Sequence, residues 1–150
     1  MMPRFLPVAD SALMVEFASA LDAAAHRAVL SLDRALAAQP FPGFTEAVPA
    51  FVTLLVAFDP LLTDHASVAG HLETLLSAET EPVLAPATHT IPTTYDGPDL
   101  TEVAARCGLS PADIGALHAK GDYEVAMYGF APGYAYLSGL PAALHLDRKP

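Results

Sequence analysis

The chain has 150 residues, enough for one ordinary domain or two small ones. Apolar residues make up 53% of it and charged residues 16%, a composition that excludes intrinsic disorder. Its formal net charge is −10, and so acidic a surface repels nucleic-acid phosphates and anionic membranes. We therefore expect neither a nucleic-acid partner nor a membrane partner.

Cysteine, histidine and N-terminal patterns exclude several further classes of protein. The single cysteine, Cys107, cannot form an intramolecular disulfide and fits a small buried hydrophobe. The six histidines lack the spacings of metal sites such as HExxH, so we expect no metal. Residues 1–8 lack the apolar segment of a signal peptide, and no run reaches about 18 consecutive apolar residues. The expected location is cytoplasmic.

The first predicted elements are a strand and a helix. Residues 10–17 alternate between apolar and polar side chains, as a half-buried strand does. Apolar residues then recur at helical spacing from Leu21 to Leu36, with Ser19 or Asp22 as the N-cap.

Two strands and a second helix follow. Residues 44–48 predict a short strand, and the apolar run at 50–58 is typical of a central strand covered on both faces. A helix with Asp64 as its cap then carries Val68 and Leu72 on one stripe. Residues 1–84 are therefore predicted to form a small α+β sandwich, with helices on one face of an antiparallel sheet.

Prolines and lost periodicity between residues 80 and 88 predict a domain boundary, with the second domain spanning 85–150. Residues 89–95 then resemble a strand. Asp99 and Glu102 form a capping-box pattern at the start of a helix that Gly108 would end.

The next elements are a second short helix, a strand and a loop. Ser110 is the expected cap of this helix, with Pro111 at its first position and Gly121 as its stop. Residues 123–128 predict a strand, and a loop rich in glycine, proline and aromatic residues follows at 129–141.

Two short helices joined by a glycine are also typical of a helix-turn-helix motif. The second helix, however, offers Asp113 and His118 as its polar groups, with Lys120 just beyond it. An acid in that position would face the phosphates with little to offset it. The sequence therefore argues against DNA binding.

Two features remain as candidates for chemistry, since phosphate-loop, GxGxxG and GxSxG patterns are absent from the sequence. The loop from Gly129 to Tyr136 has the glycines, proline and aromatic walls of a ligand-facing loop, and equally those of a tight structural turn. His118 either faces a cleft or complements the dipole at its helix end.

Several segments together resemble the family that contains the 5-oxoprolinase B subunit, the kinase inhibitor KipI and allophanate hydrolase subunit 1. The most specific of them is the loop GFAPGYAYLSGLP, although Tyr134 and Ala135 replace the commoner Phe-Pro. Ala9 likewise stands where glycine is usual. The other matching segments are residues 10–17, 49–60, 91–95, 97–100 and the pair Leu117-His118.

The resemblance implies a fold in which the N-terminal domain precedes a cyclophilin-like β-barrel. Residues 85–150 would form only the first part of that barrel, because the later strands of the family have no counterpart here. We expect residues after about 120 to be poorly enclosed or packed on a neighbour, since half a barrel leaves strand edges and apolar faces unsatisfied.

The function implied by the resemblance is that of a small subunit in an ATP-dependent amidohydrolase that opens a cyclic amide, with 5-oxo-L-proline the expected substrate. The partner would be a homologous subunit, similar to the 5-oxoprolinase C subunit or to allophanate hydrolase subunit 2. ATP would be bound by the assembly and not necessarily by this chain. We expect His118 to be catalytic, and the substrate to contact Tyr95, Gly129, Phe130, Pro132, Gly133 and Tyr136.

Two alternatives stay open. A KipI-like protein would inhibit a sensor histidine kinase by docking on it, and an acidic exterior with an apolar C-terminal patch suits docking equally well. A third possibility is part of a urea or allophanate carboxyltransferase-type assembly. Lactam-dependent ATP turnover, kinase inhibition and biotin dependence distinguish the three.

Overall fold

A computed structural model describes residues 3–78 and 87–147 of the chain. It divides into two compact units, Met1–Ala85 and Pro86–Pro150. The predicted boundary between residues 84 and 85 lies outside the described residues. In the described ranges, none of the helices is long and apolar enough to cross a membrane.

The first unit is a four-stranded antiparallel sheet with two helices. The elements are β1 Arg4–Val8, β2 Ala12–Glu16, α1 Ala23–Ala38, β3 Phe44–Ala50, β4 Thr53–Phe58 and α2 His65–Ser77. The strand order is β1-β2-β4-β3, so β2 and β4 are central. Sequence analysis missed β1, whose Pro7 interrupts the strand pattern; the fold tolerates this proline because β1 is an edge strand.

One hydrophobic core joins the sheet to both helices. Alternate residues of the central strands are fully buried, including Val15 and Val56, and they pack with Val29 of α1 and Leu72 of α2. The prediction that β4 is covered on both faces is wrong, because side chains such as Leu55 on its other face are only half-buried. The difference arises because both helices pack on the same face of the sheet and leave the other face of β4 only partly covered.

Local hydrogen bonds fix the ends of these elements. The carboxylates of Asp22 and Asp64 accept from the backbone N–H groups of Ala25 at 2.7 Å and Ser67 at 2.8 Å, so the predicted caps are confirmed. The β3–β4 turn holds Phe51 at a φ of 46°, and His26 Nδ1 lies 2.7 Å from the Phe51 carbonyl oxygen.

The second unit contains two short helices and a β-hairpin. Its elements are α3 Leu100–Cys107, α4 Pro111–Ala119, β5 Glu124–Tyr128, β6 Ala135–Ser138 and a 3₁₀ turn at Ala142–Leu144. Ala104, Ile114 and Leu144 form its small core, with Cys107 at the edge. The chain is thus an α+β protein with antiparallel sheets. No closed barrel occurs in the described part of this unit.

Predictions for the start of this unit have mixed outcomes. Residues 89–95 are not a strand, because they pair with no neighbouring strand in the described chain and Pro92 removes a donor. Asp99 precedes α3 but makes no side-chain capping bond, since its backbone is helical and not extended. Gly108 ends α3 in the left-handed conformation and Ser110 caps α4, so both of these predictions are confirmed.

The hairpin exposes much apolar surface. Phe130 is 90% exposed, and the exposed set also includes Val125, Tyr128, Tyr134, Tyr136, Leu137 and Leu140. The expectation that residues after about 120 are poorly enclosed is confirmed for the described residues.

Truncating the core of the first unit should be costly. Leu72→Ala removes a fully buried side chain, and we expect it to lower the free energy of unfolding by about 2–5 kcal/mol. Leu61→Ala is the matched control, because Leu61 is 91% exposed. Urea titration followed by far-UV circular dichroism compares them; equal midpoints for the two variants would contradict this packing.

The Asp64 cap should make stability depend on pH. The backbone N–H of Ser67, followed by its hydroxyl, holds the pKa of Asp64 below its usual value. The folded-state pKa is the lower one, so the carboxylate stabilises the fold above the unfolded pKa of about 3.9, and this contribution is lost as pH falls through the folded value. Asp64→Ala should lower the melting temperature at pH 7 and differ less from wild type at pH 3. Asp64→Asn, which can still cap, should lose less at pH 7.

Candidate functional site

His118 and Tyr95, two of the predicted site residues, lie together in the second unit. The Tyr95 hydroxyl is hydrogen-bonded to His118 Nδ1 at 2.8 Å, and the two rings meet edge to face with centroids 5.7 Å apart. Both residues are half-buried. His118 occupies the last turn of α4, as the helix-dipole interpretation required, and its ring nevertheless has a specific partner.

A glycine within α4 makes room for the tyrosine ring. Gly115 is buried, and a Cβ added there would lie 3.2 Å from the ring of Tyr95. Residues three apart share one face of a helix, so the Tyr95 ring covers Gly115 while its hydroxyl reaches His118. Gly115 therefore admits Tyr95 to this face of the helix.

Tyr123 contacts the same histidine from the other direction. Its hydroxyl donates to the His118 backbone carbonyl at 2.9 Å, and its ring lies 5.1 Å from the imidazole at an angle of 35°. Partial burial, and secondarily the neighbouring Tyr95, raise the pKa of Tyr123. Tyr123 therefore stays protonated and remains a donor at neutral pH.

The second ring nitrogen of His118 is neither hydrogen-bonded nor completely buried among the described residues. In the described part of the chain Nε2 has no hydrogen-bond partner, and the only side-chain nitrogen there that is both buried and unpartnered belongs to His26. An imidazole held at Nδ1 and open at Nε2 can accept or donate a proton at Nε2. The arrangement thus suits acid–base chemistry on a small molecule.

The predicted loop forms two tight turns. Tyr134 N–H donates to the Ala131 carbonyl at 3.0 Å, with Pro132 and then Gly133 between them. Gly133 has a φ of 74°, and this combination is that of a type II turn. Before it, Ala131 N–H donates to the Gly129 carbonyl at 2.9 Å, so Phe130 is the central residue of a three-residue turn.

The three-residue turn from Gly129 to Ala131 places Phe130 in an unfavourable backbone conformation. Its φ of 70° is costly for a residue with a large side chain, and the side chain is 90% exposed. The Tyr134 ring contacts Phe130 at 5.6 Å and Tyr136 at 5.3 Å, so the three aromatics form a row. Strain that presents an aromatic side chain to solvent is a feature of binding surfaces.

The two groups of predicted site residues lie at opposite ends of the hairpin. Tyr123 immediately precedes β5 and Gly129 immediately follows it. Six residues of extended chain span about 20 Å. A small molecule in contact with His118 would therefore not reach the tip of the loop in the same chain.

Sequence reasoning missed three residues around His118. Gly115 in the interior of a short helix was the available signal, because an isolated helical glycine usually has a packing reason. Gly121 was interpreted only as a helix stop, although a Cβ there would lie 2.6 Å from the ring of Tyr123. Tyr123 itself carried no signal beyond its place in a strand pattern.

The other histidines with defined partners bond to backbone carbonyls. His65, His71 and His145 pair with the carbonyls of Ala12, Gln39 and Leu140 at 2.8–3.1 Å. No group of three His, Cys, Asp or Glu residues in the described ranges is arranged to hold a metal ion.

Two open depressions elsewhere are lined by other residues. One, of about 410 Å³, is bordered by Arg106, His145, Leu146 and Asp147 in the second unit. The other, of about 360 Å³, lies in the first unit beside the Arg4–Glu16 ion pair. Neither includes His118, so the acid–base pair is identified by its hydrogen bonds and not by a cavity.

Comparison with known proteins identifies the family. Residues 3–150 match the carboxyltransferase domain, subdomain C and D. The chain belongs to this family. Among members of the carboxyltransferase subdomain C and D family, the 5-oxoprolinase B subunit of Bacillus subtilis (strain 168) is 34% identical over 159 aligned residues. That alignment covers 93% of this chain and 64% of the relative, so the chain spans less than two thirds of that protein.

Further relatives agree with this assignment. The 5-oxoprolinase B subunit of Escherichia coli O157:H7 is 47% identical over 62 residues, which are 39% of this chain and 28% of that protein. The crystal structure of TTHA0988 superposes with a TM-score of 0.81 at 36% identity, covering 93% of this chain and 28% of that one. Urea amidolyase of K. lactis shares the fold, with a TM-score of 0.61 at 13% identity, over 85% of this chain and 9% of that one.

A methyl group added at position 115, against the Tyr95 ring, should favour helix formation in α4 but disturb the Tyr95–His118 hydrogen bond. Gly115→Ala improves helix propensity by about 1 kcal/mol, yet its methyl group would press on the Tyr95 ring at 3.2 Å. We expect the Tyr95–His118 hydrogen bond to lengthen, visible as a changed ¹⁵N shift of His118 Nδ1. Gly70→Ala in α2 is the control, because a Cβ there meets nothing within 4 Å and should only stabilise the protein. An unchanged His118 spectrum in Gly115→Ala would contradict the packing.

Proposed function

We propose that this chain is the small subunit of an ATP-dependent amidohydrolase that opens a cyclic amide, with 5-oxo-L-proline as the substrate. The observation that carries the proposal is the Tyr95–His118 pair with its open Nε2, in a chain related to the 5-oxoprolinase B subunit over 93% of its length. A homologous partner, similar to the 5-oxoprolinase C subunit, completes the site.

The reaction requires proton transfers that the pair can perform. Opening a lactam breaks the carbonyl carbon–nitrogen bond, adds a water oxygen to the carbon and delivers a proton to the nitrogen. His118 Nε2 removes a proton from the attacking water or returns it to the leaving nitrogen. Tyr95 is hydrogen-bonded to Nδ1 and so orients the ring.

ATP is proposed to bind elsewhere in the assembly. Phosphorylation of the amide oxygen would make the carbonyl carbon more electrophilic and would supply a leaving group, because the phosphorylated oxygen departs as inorganic phosphate while a water oxygen takes its place. The sequence of this chain has no phosphate-binding loop, so no step is assigned to ATP on this chain.

The loop residues Gly129, Phe130, Pro132, Gly133 and Tyr136 are proposed to contact a substrate molecule bound where the partner protein meets this chain, and not the molecule held by His118 of the same chain. The support is their exposure and the strained turn that presents Phe130. In this proposal the hairpin and the helix pair are the first part of a cyclophilin-like barrel, whose remaining strands cover the apolar face of β5 and β6. The protein acts in the cytoplasm.

One observation favours a second function, that of a KipI-like inhibitor of a sensor histidine kinase. The row of exposed aromatics in the loop is an apolar surface of the kind that docks on proteins. A regulator would use this surface and would not need His118. The fold shared with urea amidolyase adds no support for a carboxyltransferase role, because the identity is only 13%.

The deciding experiment is 5-oxoproline-dependent ATP hydrolysis by the chain co-expressed with its partner subunits. We expect turnover only when this chain is present, and a fall of about 10²–10⁴-fold in His118→Ala, the range that general acid–base groups contribute. His89→Ala is the matched control, because His89 is exposed and outside the site. A stable complex without turnover, together with inhibition of a histidine kinase, would favour the regulator instead.

A further inference from the structure

Tyr123 holds His118 at two separate points. Its hydroxyl donates to the His118 carbonyl, which also accepts the Gly121 N–H at 3.1 Å. Carbonyls in the last turn of a helix lack partners within the helix, so these two donors anchor the backbone at His118. The Tyr123 ring also lies against the imidazole, on which Tyr95 acts from another side at Nδ1.

The glycine at position 121 leaves room for this contact. A Cβ at Gly121 would lie 2.6 Å from the Tyr123 ring and its hydroxyl oxygen. Gly121 is not among the glycines with positive φ, so its backbone would accept alanine without strain. Besides following the end of the helix, Gly121 therefore gives the Tyr123 ring the space that a side chain would fill.

We propose that Tyr123, seated on Gly121, is a positioning residue that fixes the imidazole of His118 so that Nε2 faces the substrate. This inference rests on the proposed function, since it assigns Tyr123 a role in the same site. The Tyr123 hydroxyl proton is donated to the His118 carbonyl, so in this proposal it is not the proton transferred to or from the substrate. Its effect is on orientation, and small misplacements of a catalytic group cost large factors in rate.

The role is tested first on this chain alone, by ¹⁵N and ¹H spectra of the His118 ring. Wild-type protein should show one dominant tautomer and a single set of ring signals. Tyr123→Leu should show signals of both tautomers. Tyr123→Phe keeps the ring and loses the hydroxyl, so its spectrum should be intermediate between those of wild type and Tyr123→Leu. Tyr128→Leu and Tyr128→Phe are the controls: Tyr128 is on the same hairpin, is 69% exposed, and its hydroxyl has no hydrogen bond in the described chain.

The second test measures turnover in the reconstituted assembly. Tyr123→Phe should lower kcat roughly threefold to tenfold, the value of one hydrogen bond, and Tyr123→Leu roughly 10²-fold, with KM within about twofold. Gly121→Ala should reproduce the loss by displacing the ring. In a Tyr123→Leu background the same alanine should cost nothing further, because there is no ring left to displace.

The outcomes separate this inference from the function on which it rests. His118 spectra and kcat that match wild type in Tyr123→Leu, with only the melting temperature lowered, would overturn the positioning role. Additive losses from Gly121→Ala and Tyr123→Leu would do the same. If His118→Ala leaves turnover unchanged, the proposed role of His118 fails, and the ring spectra still decide whether Tyr123 orients the imidazole.

Discussion

The closeness of two tyrosine rings to two glycines determines the geometry around His118. Tyr95 lies over Gly115 and Tyr123 lies over Gly121, at separations that leave no room for a methyl group without movement of the rings. A glycine inside a helix costs about 1 kcal/mol relative to alanine. The second unit accepts this cost at Gly115 in α4, and the result is an imidazole with one nitrogen bonded, the backbone anchored and the other nitrogen open.

The fold of the first unit could largely be predicted from sequence because its signals are local. The alternation through Val15 and the helical spacing through Val29 identify the faces that meet in the core. Where local rules compete with tertiary structure, prediction failed: β1 contains Pro7, which only an edge position permits. Residues 89–95 have strand-like composition but no neighbouring strand to pair with in the described chain, so the pattern alone could not determine their conformation.

The site could be predicted only in part, for a different physical reason. Tyr95 and His118 are 23 residues apart, and no periodicity rule brings a loop tyrosine onto a particular helical face. His118 was selected from its place at a helix end before the loop, and Tyr95 was added with the family resemblance; the hydrogen bond between them supplies the physical basis. The resemblance also grouped them with the loop at Gly129, whereas the length of β5 keeps the two groups apart. Tyr123 was missed because a tyrosine at the start of a strand is ordinary.

The exposed apolar hairpin and the open nitrogen of His118 point to the same requirement. A proton transfer at Nε2 in bulk water gains little from the protein, because water competes for the proton and weakens every electrostatic interaction. Excluding that water requires a cover over the second unit, and an isolated two-stranded sheet is itself only marginally stable. The hairpin already exposes apolar side chains against which such a cover could pack, among them Phe130 and Leu137. One covering surface would therefore both complete the sheet and remove water from the histidine, so that the stability of this unit and the proposed proton transfer would depend on the same contact.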